Sequence, residues 1–124
     1  MGADDRIELR GLRLMGTHGV LPEERTRAQP FEVDLDIVAD LAAAAASDDV
    51  RDTVDYGAVT DLVARIVGTE SFHLLEALAD RIAEVVLEDV RVGEVAVTVR
   101  KLRPPVPVPM ATAGVRVRRV RRGS

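Results

Sequence analysis

The chain contains no cysteine and no tryptophan, and only one tyrosine and two phenylalanines. Without a thiol there can be no disulfide, no thiol nucleophile and no thiolate metal site. With aromatics at 2% of 124 residues, the core has to be built from Val, Leu, Ile and Ala. The same shortage leaves little for stacking on nucleic-acid bases. Long apolar runs are missing as well, so the sequence offers no bilayer-spanning segment and no signal peptide, and a cytoplasmic location is expected. Met1-Gly2 is followed by Arg6, where a myristoylation signal needs Ser or Thr. Lysine is almost absent too: Lys and Arg total 17, yet Lys101 is the one lysine. Arginine cannot release a proton in proteins, so of the 17 Lys and Arg side chains only Lys101 can serve as both acid and base. An Arg-biased composition also explains a single lysine without chemistry.

What is present reads as one globular domain over residues 1–124, with 47% hydrophobic and 31% charged residues. A net charge of −4 argues against a nucleic-acid partner, which calls for a dominant basic surface. The arginines of the tail (Arg116, Arg118, Arg119, Arg121, Arg122) are therefore expected to mark a solvated end.

Arg6 to Leu14 reads as a strand in which Gly11 shifts the apolar parity from Ile7 and Leu9 to Leu12 and Leu14, as a bulge does. Gly16 to Ala28 is a polar connection carrying His18, Gly19, Glu23 and Glu24. Phe31 to Leu41 alternates strictly, with Phe31, Val33, Leu35, Ile37, Ala39 and Leu41 on one face and acids on the other. Ala42 to Ala46 is expected to form a short turn. Asp52 to Tyr56 then leads into a helix with Val59, Leu62, Val63, Ile66 and Val67 on one face and Gly68 as its stop. Val92 to Lys101 and Val115 to Val120 read as strands, joined by the stiff, proline-rich Leu102 to Pro109. The acidic face of Phe31–Leu41 and the basic side chains Arg100, Arg116 and Arg118 favour pairing of these strands.

The stretch Ser71 to Glu88 sets Leu74, Leu75, Leu78, Ala79, Ile82, Val85 and Val86 in one apolar stripe, a helix with Ser71 or His73 as its cap. Glu76 falls in its first turn. A carboxylate there either stabilises the helix start or faces a pocket, where it can grip a ligand edge with two parallel N–H donors. Lys101 likewise has two readings: a lysine snorkelling from a strand end, or a partly desolvated amine on the apolar face of its strand. The order strand, strand, helix, helix, strand, strand predicts an α+β domain. Its four-stranded antiparallel sheet carries two helices on one face and leaves two edges to be covered or paired.

Several separated pieces resemble one family, the dihydroneopterin aldolases. They are Ile7-Glu8-Leu9-Arg10-Gly11-Leu12; Gly16-Thr17-His18-Gly19-Val20 with Glu24, Gln29 and Phe31; Asp52-Thr53-Val54-Asp55-Tyr56; Ser71 to Ala79; and Lys101 before Pro104-Pro105-Val106-Pro107. The resemblance implies a tunnelling fold whose subunits join edge to edge into four-membered rings, stacked as an octamer. It implies a pterin as small-molecule substrate, no cofactor and no metal. Glu76 would anchor the pterin through its 2-amino and N3–H edge, with Leu75 adding backbone contacts and Val20 lining the site. Val54, Asp55 and Tyr56 would arrive from the neighbouring subunit. Glu24 would hold Lys101, the acid–base partner, and Tyr56 would relay a proton. His18 and His73 are expected to be structural. The rivals are a dihydroneopterin triphosphate epimerase, for which Arg103 keeps a basic rim available, and a non-catalytic pterin-binding ring protein.

Overall fold

The computed structural model describes residues 4–122, so Met1 and Gly2, on which the lipidation reading bears, lie outside it. Strand β1 (Arg6–Gly16) is followed by a short helix α1 (Pro22–Thr26), strand β2 (Gln29–Val38), a short helix α2 (Ala42–Ser47) and a 3₁₀ turn (Val50–Asp52). Helices α3 (Tyr56–Thr69) and α4 (Leu75–Val86) come next, then strands β3 (Glu94–Lys101) and β4 (Ala113–Val120). The sheet is antiparallel throughout, in the order β1-β2-β3-β4. Both long helices cover its apolar face, α3 against β1 and α4 against β3 and β4.

The alternation in β2 explains the layering. Phe31, Val33, Leu35 and Ile37 are fully buried, facing Val95, Val97 and Val99 from β3 and the helix residues Val63, Val67, Leu78, Ala79 and Ile82. The bulge lies where the parity shift placed it. Leu9 pairs with Leu35 but Leu12 with Val33, so β1 gains one residue between them. Gly11 takes φ +71°, a backbone conformation that suits glycine, and its N–H donates to Asp34 Oδ1 at 2.7 Å. The opposite face is charged: Arg100 pairs with Asp34 at 2.7 Å and with Glu32, and Arg10 pairs with Asp36.

Five expectations need correction. The strand begun at Phe31 ends at Val38, because Asp40 turns the chain by accepting from the Ala42 N–H at 2.9 Å. The helix expected from Ser71 starts only at Leu75, with Leu74 at the cap position and no capping side chain from Ser71 or His73. The backbone of Ser71–Leu74 is committed elsewhere, since Phe72 spends its N–H on His18 and its carbonyl on Gly19. Gly68 does not stop α3, which runs on to Thr69. Arg100 does meet β2 acids, but Arg118 bonds Glu94 on β3, so of these two β4 arginines Arg116 alone reaches an acid of β2, Asp36, at 3.7 Å. The tail arginines are also less free than a solvated end suggests. Arg119 meets Asp80 at 2.9 Å, and Arg121 donates to the carbonyls of Leu87, Asp89 and Val92 around the end of α4.

Candidate active site

The second half of the β1–β2 connection carries an acid that the fold buries. Pro22 starts α1, and Glu24 reaches back so that its Oε1 accepts the Leu21 N–H at 3.3 Å. Its other oxygen, Oε2, accepts from Lys101 Nζ at 2.7 Å. The two side chains keep only 9% and 17% of their exposure, so this ion pair is largely withdrawn from water. Lys101 can reach inward because it ends β3 opposite Phe31, on the core parity of Val95, Val97 and Val99. Gly19 leaves the space for Glu24, since a Cβ there would lie 2.3 Å from the carboxyl carbon.

This pair forms one wall of a cavity of about 390 Å³, whose remaining lining includes Val20, Leu21, His73, Leu74, Leu75, Glu76, Pro104, Pro105 and Val106. The opposite wall is the mouth of α4. Glu76 sits in its first turn, exposed to the cavity and free of ion pairs among the described residues. Backbone N–H groups left unpaired at a helix start make this a favourable place for a carboxylate. The cavity thus presents an unpartnered acid, an amine held by a second acid, and apolar walls from proline and aliphatic side chains. A flat, polar-edged heterocycle fits that chemistry.

Five of the eight residues singled out by sequence therefore come together: Lys101, Glu24, Glu76, Leu75 and Val20. The other three do not join them within one chain. Val54, Asp55 and Tyr56 line a separate depression of about 380 Å³ with Asp48, Asp49, Val50 and Thr53. Tyr56 is 63% exposed there, whereas the Val54 side chain is buried in its own core. Asp55 caps α3, accepting from the Gly57 N–H at 3.0 Å and from that of Ala58. His73, expected as a cap, instead lines the first cavity. Leu74, Pro104, Pro105 and Val106 were not singled out as lining; the proline run beyond Lys101 was the available signal. Among the described residues no cluster of three or more His, Cys, Asp or Glu side chains is placed to hold a metal ion. None of the described helices is long and apolar enough to cross a membrane.

An α+β domain with one buried Lys–Glu pair beneath a helix mouth is a small-molecule site of a definite kind. Comparison with known proteins makes it specific. The family model for dihydroneopterin aldolase (FolB) matches residues 7–118. A dihydroneopterin aldolase of Streptomyces coelicolor is 44% identical over 117 residues, covering 94% of this chain and 98% of that one. The structure of the E. coli dihydroneopterin aldolase in complex with neopterin superposes with a TM-score of 0.85 at 30% identity, over 93% of this chain and 98% of the other. That of a Burkholderia dihydroneopterin aldolase bound to guanine gives 0.79 at 28% identity, over 94% and 91%. The chain belongs to the dihydroneopterin aldolase family.

Proposed function

We propose that the chain cleaves 7,8-dihydroneopterin by a retro-aldol reaction, giving 6-hydroxymethyl-7,8-dihydropterin and glycolaldehyde. The observation that carries this reading is the Lys101–Glu24 pair at 2.7 Å, facing Glu76 across one cavity in a member of this family. Glu76 anchors the pterin, its carboxylate accepting from the 2-amino group and N3–H, with the Leu75 backbone beside it. The relatives bound to neopterin and to guanine support this, because both ligands carry a 2-amino group beside a ring N–H.

The dihydropterin ring supplies its own electron sink. A base takes the C2′ hydroxyl proton and the C1′–C2′ bond breaks; its electron pair forms C1′=C6 as the C6=N5 π pair moves onto N5, which takes up a proton to give an enamine. An acid then protonates C1′ while N5 gives its proton back, restoring C6=N5. No lysine Schiff base is needed, so the amine is free for proton transfer. Lys101, steadied by Glu24, is the acid–base group, acting through water. Tyr56 is the proton relay, delivered together with the Val54–Asp55 backbone from an adjacent subunit. The supporting observation is that Tyr56 and Asp55 sit exposed at a separate depression while both sheet edges, β1 and β4, are left for pairing between copies. The working unit is then a homo-oligomer, tetrameric rings stacked as an octamer.

Incubation of purified protein with 7,8-dihydroneopterin, followed by chromatography of the pterins, tests the reading. Hydroxymethyl product supports it. Conversion to the isomeric monapterin alone marks an epimerase, which recombines the fragments of the same cleavage, and unchanged substrate marks a binding protein.

A further inference from the structure

One fully buried imidazole lies between the loops that carry Glu24 and Glu76. His18 Nδ1 accepts the Phe72 backbone N–H at 3.1 Å, so the ring proton is on Nε2, which donates to the Val67 carbonyl at 2.8 Å. Burial pushes its pKa below the ordinary histidine value, against smaller upward pulls from the Val67 carbonyl and Glu70, and this keeps Nδ1 free to accept. The ring meets Phe31 edge-on at 5.2 Å and stacks on Phe72 at 5.9 Å.

Each contact leads to a different wall. Phe31 is the cross-strand partner of Lys101. Phe72 lies in the segment that delivers Leu74, Leu75 and Glu76. Gly19, next to His18, is pressed against the Glu24 carboxyl group and donates its N–H to the Phe72 carbonyl at 2.9 Å. Ser71 Oγ adds a bond to the Thr17 carbonyl. There is little slack: a Cβ on Gly16 would lie 2.5 Å from the Val67 oxygen and 2.8 Å from the imidazole.

We propose that His18 is a positioning residue for the Lys101–Glu24–Glu76 site, its two ring nitrogens clasping the Gly16–Leu21 loop to the end of α3 and to the Glu70–Leu74 loop and so fixing the width of the cavity. This rests on the reading of function above. A residue that merely fills the core needs only volume. His18 instead uses one nitrogen as donor to the end of α3 and the other as acceptor from the approach to α4.

Three variants separate the roles. His18→Phe keeps a ring and loses both bonds, His18→Asn keeps an acceptor where Nδ1 stood, and His18→Gln keeps a donor toward Val67. In His18→Phe, kcat/KM for 7,8-dihydroneopterin is expected to fall by about ten- to a hundred-fold, the scale of a small misplacement of catalytic groups. Asn should restore activity better than Gln, while Gln should restore Tm better than Asn. Amide hydrogen exchange at Phe72 and Gly19 should quicken in the Phe and Gln variants and stay slow in Asn. Activity that simply follows Tm across the series would overturn the proposal, as would unchanged exchange at those two amides in His18→Phe. If that variant does not fold, the Asn–Gln contrast decides alone. Wild-type protein that neither binds nor cleaves the pterin defeats the functional reading, and the exchange comparison still decides the clasp.

Discussion

Two depressions of nearly equal size, about 390 and 380 Å³, mark this surface, and they are built on opposite logic. At Lys101 the amine is held by Glu24, Glu24 also accepts from the Leu21 N–H, and the loops behind are clasped by His18, so that Glu76 alone is left for a ligand. The one at Tyr56 is open. Its phenol stands 63% exposed, and its acids serve the backbone, Asp55 as the cap of α3 and Asp49 in the turn held to Arg51. The first has an unpaired carboxylate and a buried lysine–glutamate pair but no phenol, and the second has the phenol but no lysine. Each looks like part of a site, which is why we read them as halves that meet between copies.

The largest effect should come from emptying the first half. Lys101→Ala is expected nearly to abolish turnover while leaving pterin binding, read by fluorescence titration, largely intact. It also strands a Glu24 side chain that is 9% exposed, at a cost of about 3–5 kcal/mol if the carboxylate stays charged, so the measurement belongs with a Tm. Turnover equal to wild type would remove Lys101 from the chemistry.

Mixing sharpens the comparison directly. Tyr56→Phe and Lys101→Ala proteins, each nearly inactive, should recover about a quarter of wild-type activity when unfolded and refolded together, the share of head-to-tail contacts that unite two intact halves. If the site lay within one chain, no mixture would regain activity.

Glu76→Gln tests the anchor. It should weaken pterin binding by about 1.5–3 kcal/mol, the scale of a hydrogen bond to a charged group, and lower kcat less than KM rises. Equal affinity in a titration would return Glu76 to the simpler role of stabilising the start of α4.

These halves were unequally legible in the sequence. The alternation of Phe31, Val33, Leu35 and Ile37 and the shift at Gly11 follow from a period of two, and both stand in the fold. Lys101 was on the core parity of β3, so its inward reach was readable, but its meeting with Glu24 depends on a loop brought across the sheet. The start of α4 was misread for the same kind of reason. The stretch read as helical begins at Ser71, yet the Phe72 backbone bonds to His18 and Gly19 and the Ser71 hydroxyl to the Thr17 carbonyl, partners distant in sequence that no local pattern reveals. The short helix α1 lay hidden in what looked like a polar connection, although Pro22 and Glu24 were its signals.

The smallest effect concerns acid, and it should divide the two depressions. Folded His18 ionises below its ordinary value near 6.5, chiefly because it is buried, so on acidification the unfolded chain takes up this proton first. Its contribution to stability is full above that value and is lost as the pH falls from there through the depressed folded pKa. Protonation also puts a hydrogen on Nδ1, facing the Phe72 N–H, and so releases the clasp behind Glu24 and Glu76. At the other depression, the hydrogen bonds from Arg51 hold the Asp49 carboxyl below the usual carboxylate range, so that turn keeps its charge over the same interval. Urea unfolding at pH 7.5 and pH 5.5 should therefore show a larger loss of stability for wild type than for His18→Phe, with amide exchange quickening at Phe72 before it does at Arg51. Equal losses in the two proteins would mean that the imidazole carries no proton-linked stability. The loops behind Glu24 and Glu76 would then be held by packing against Phe31 and Phe72 rather than by the clasp.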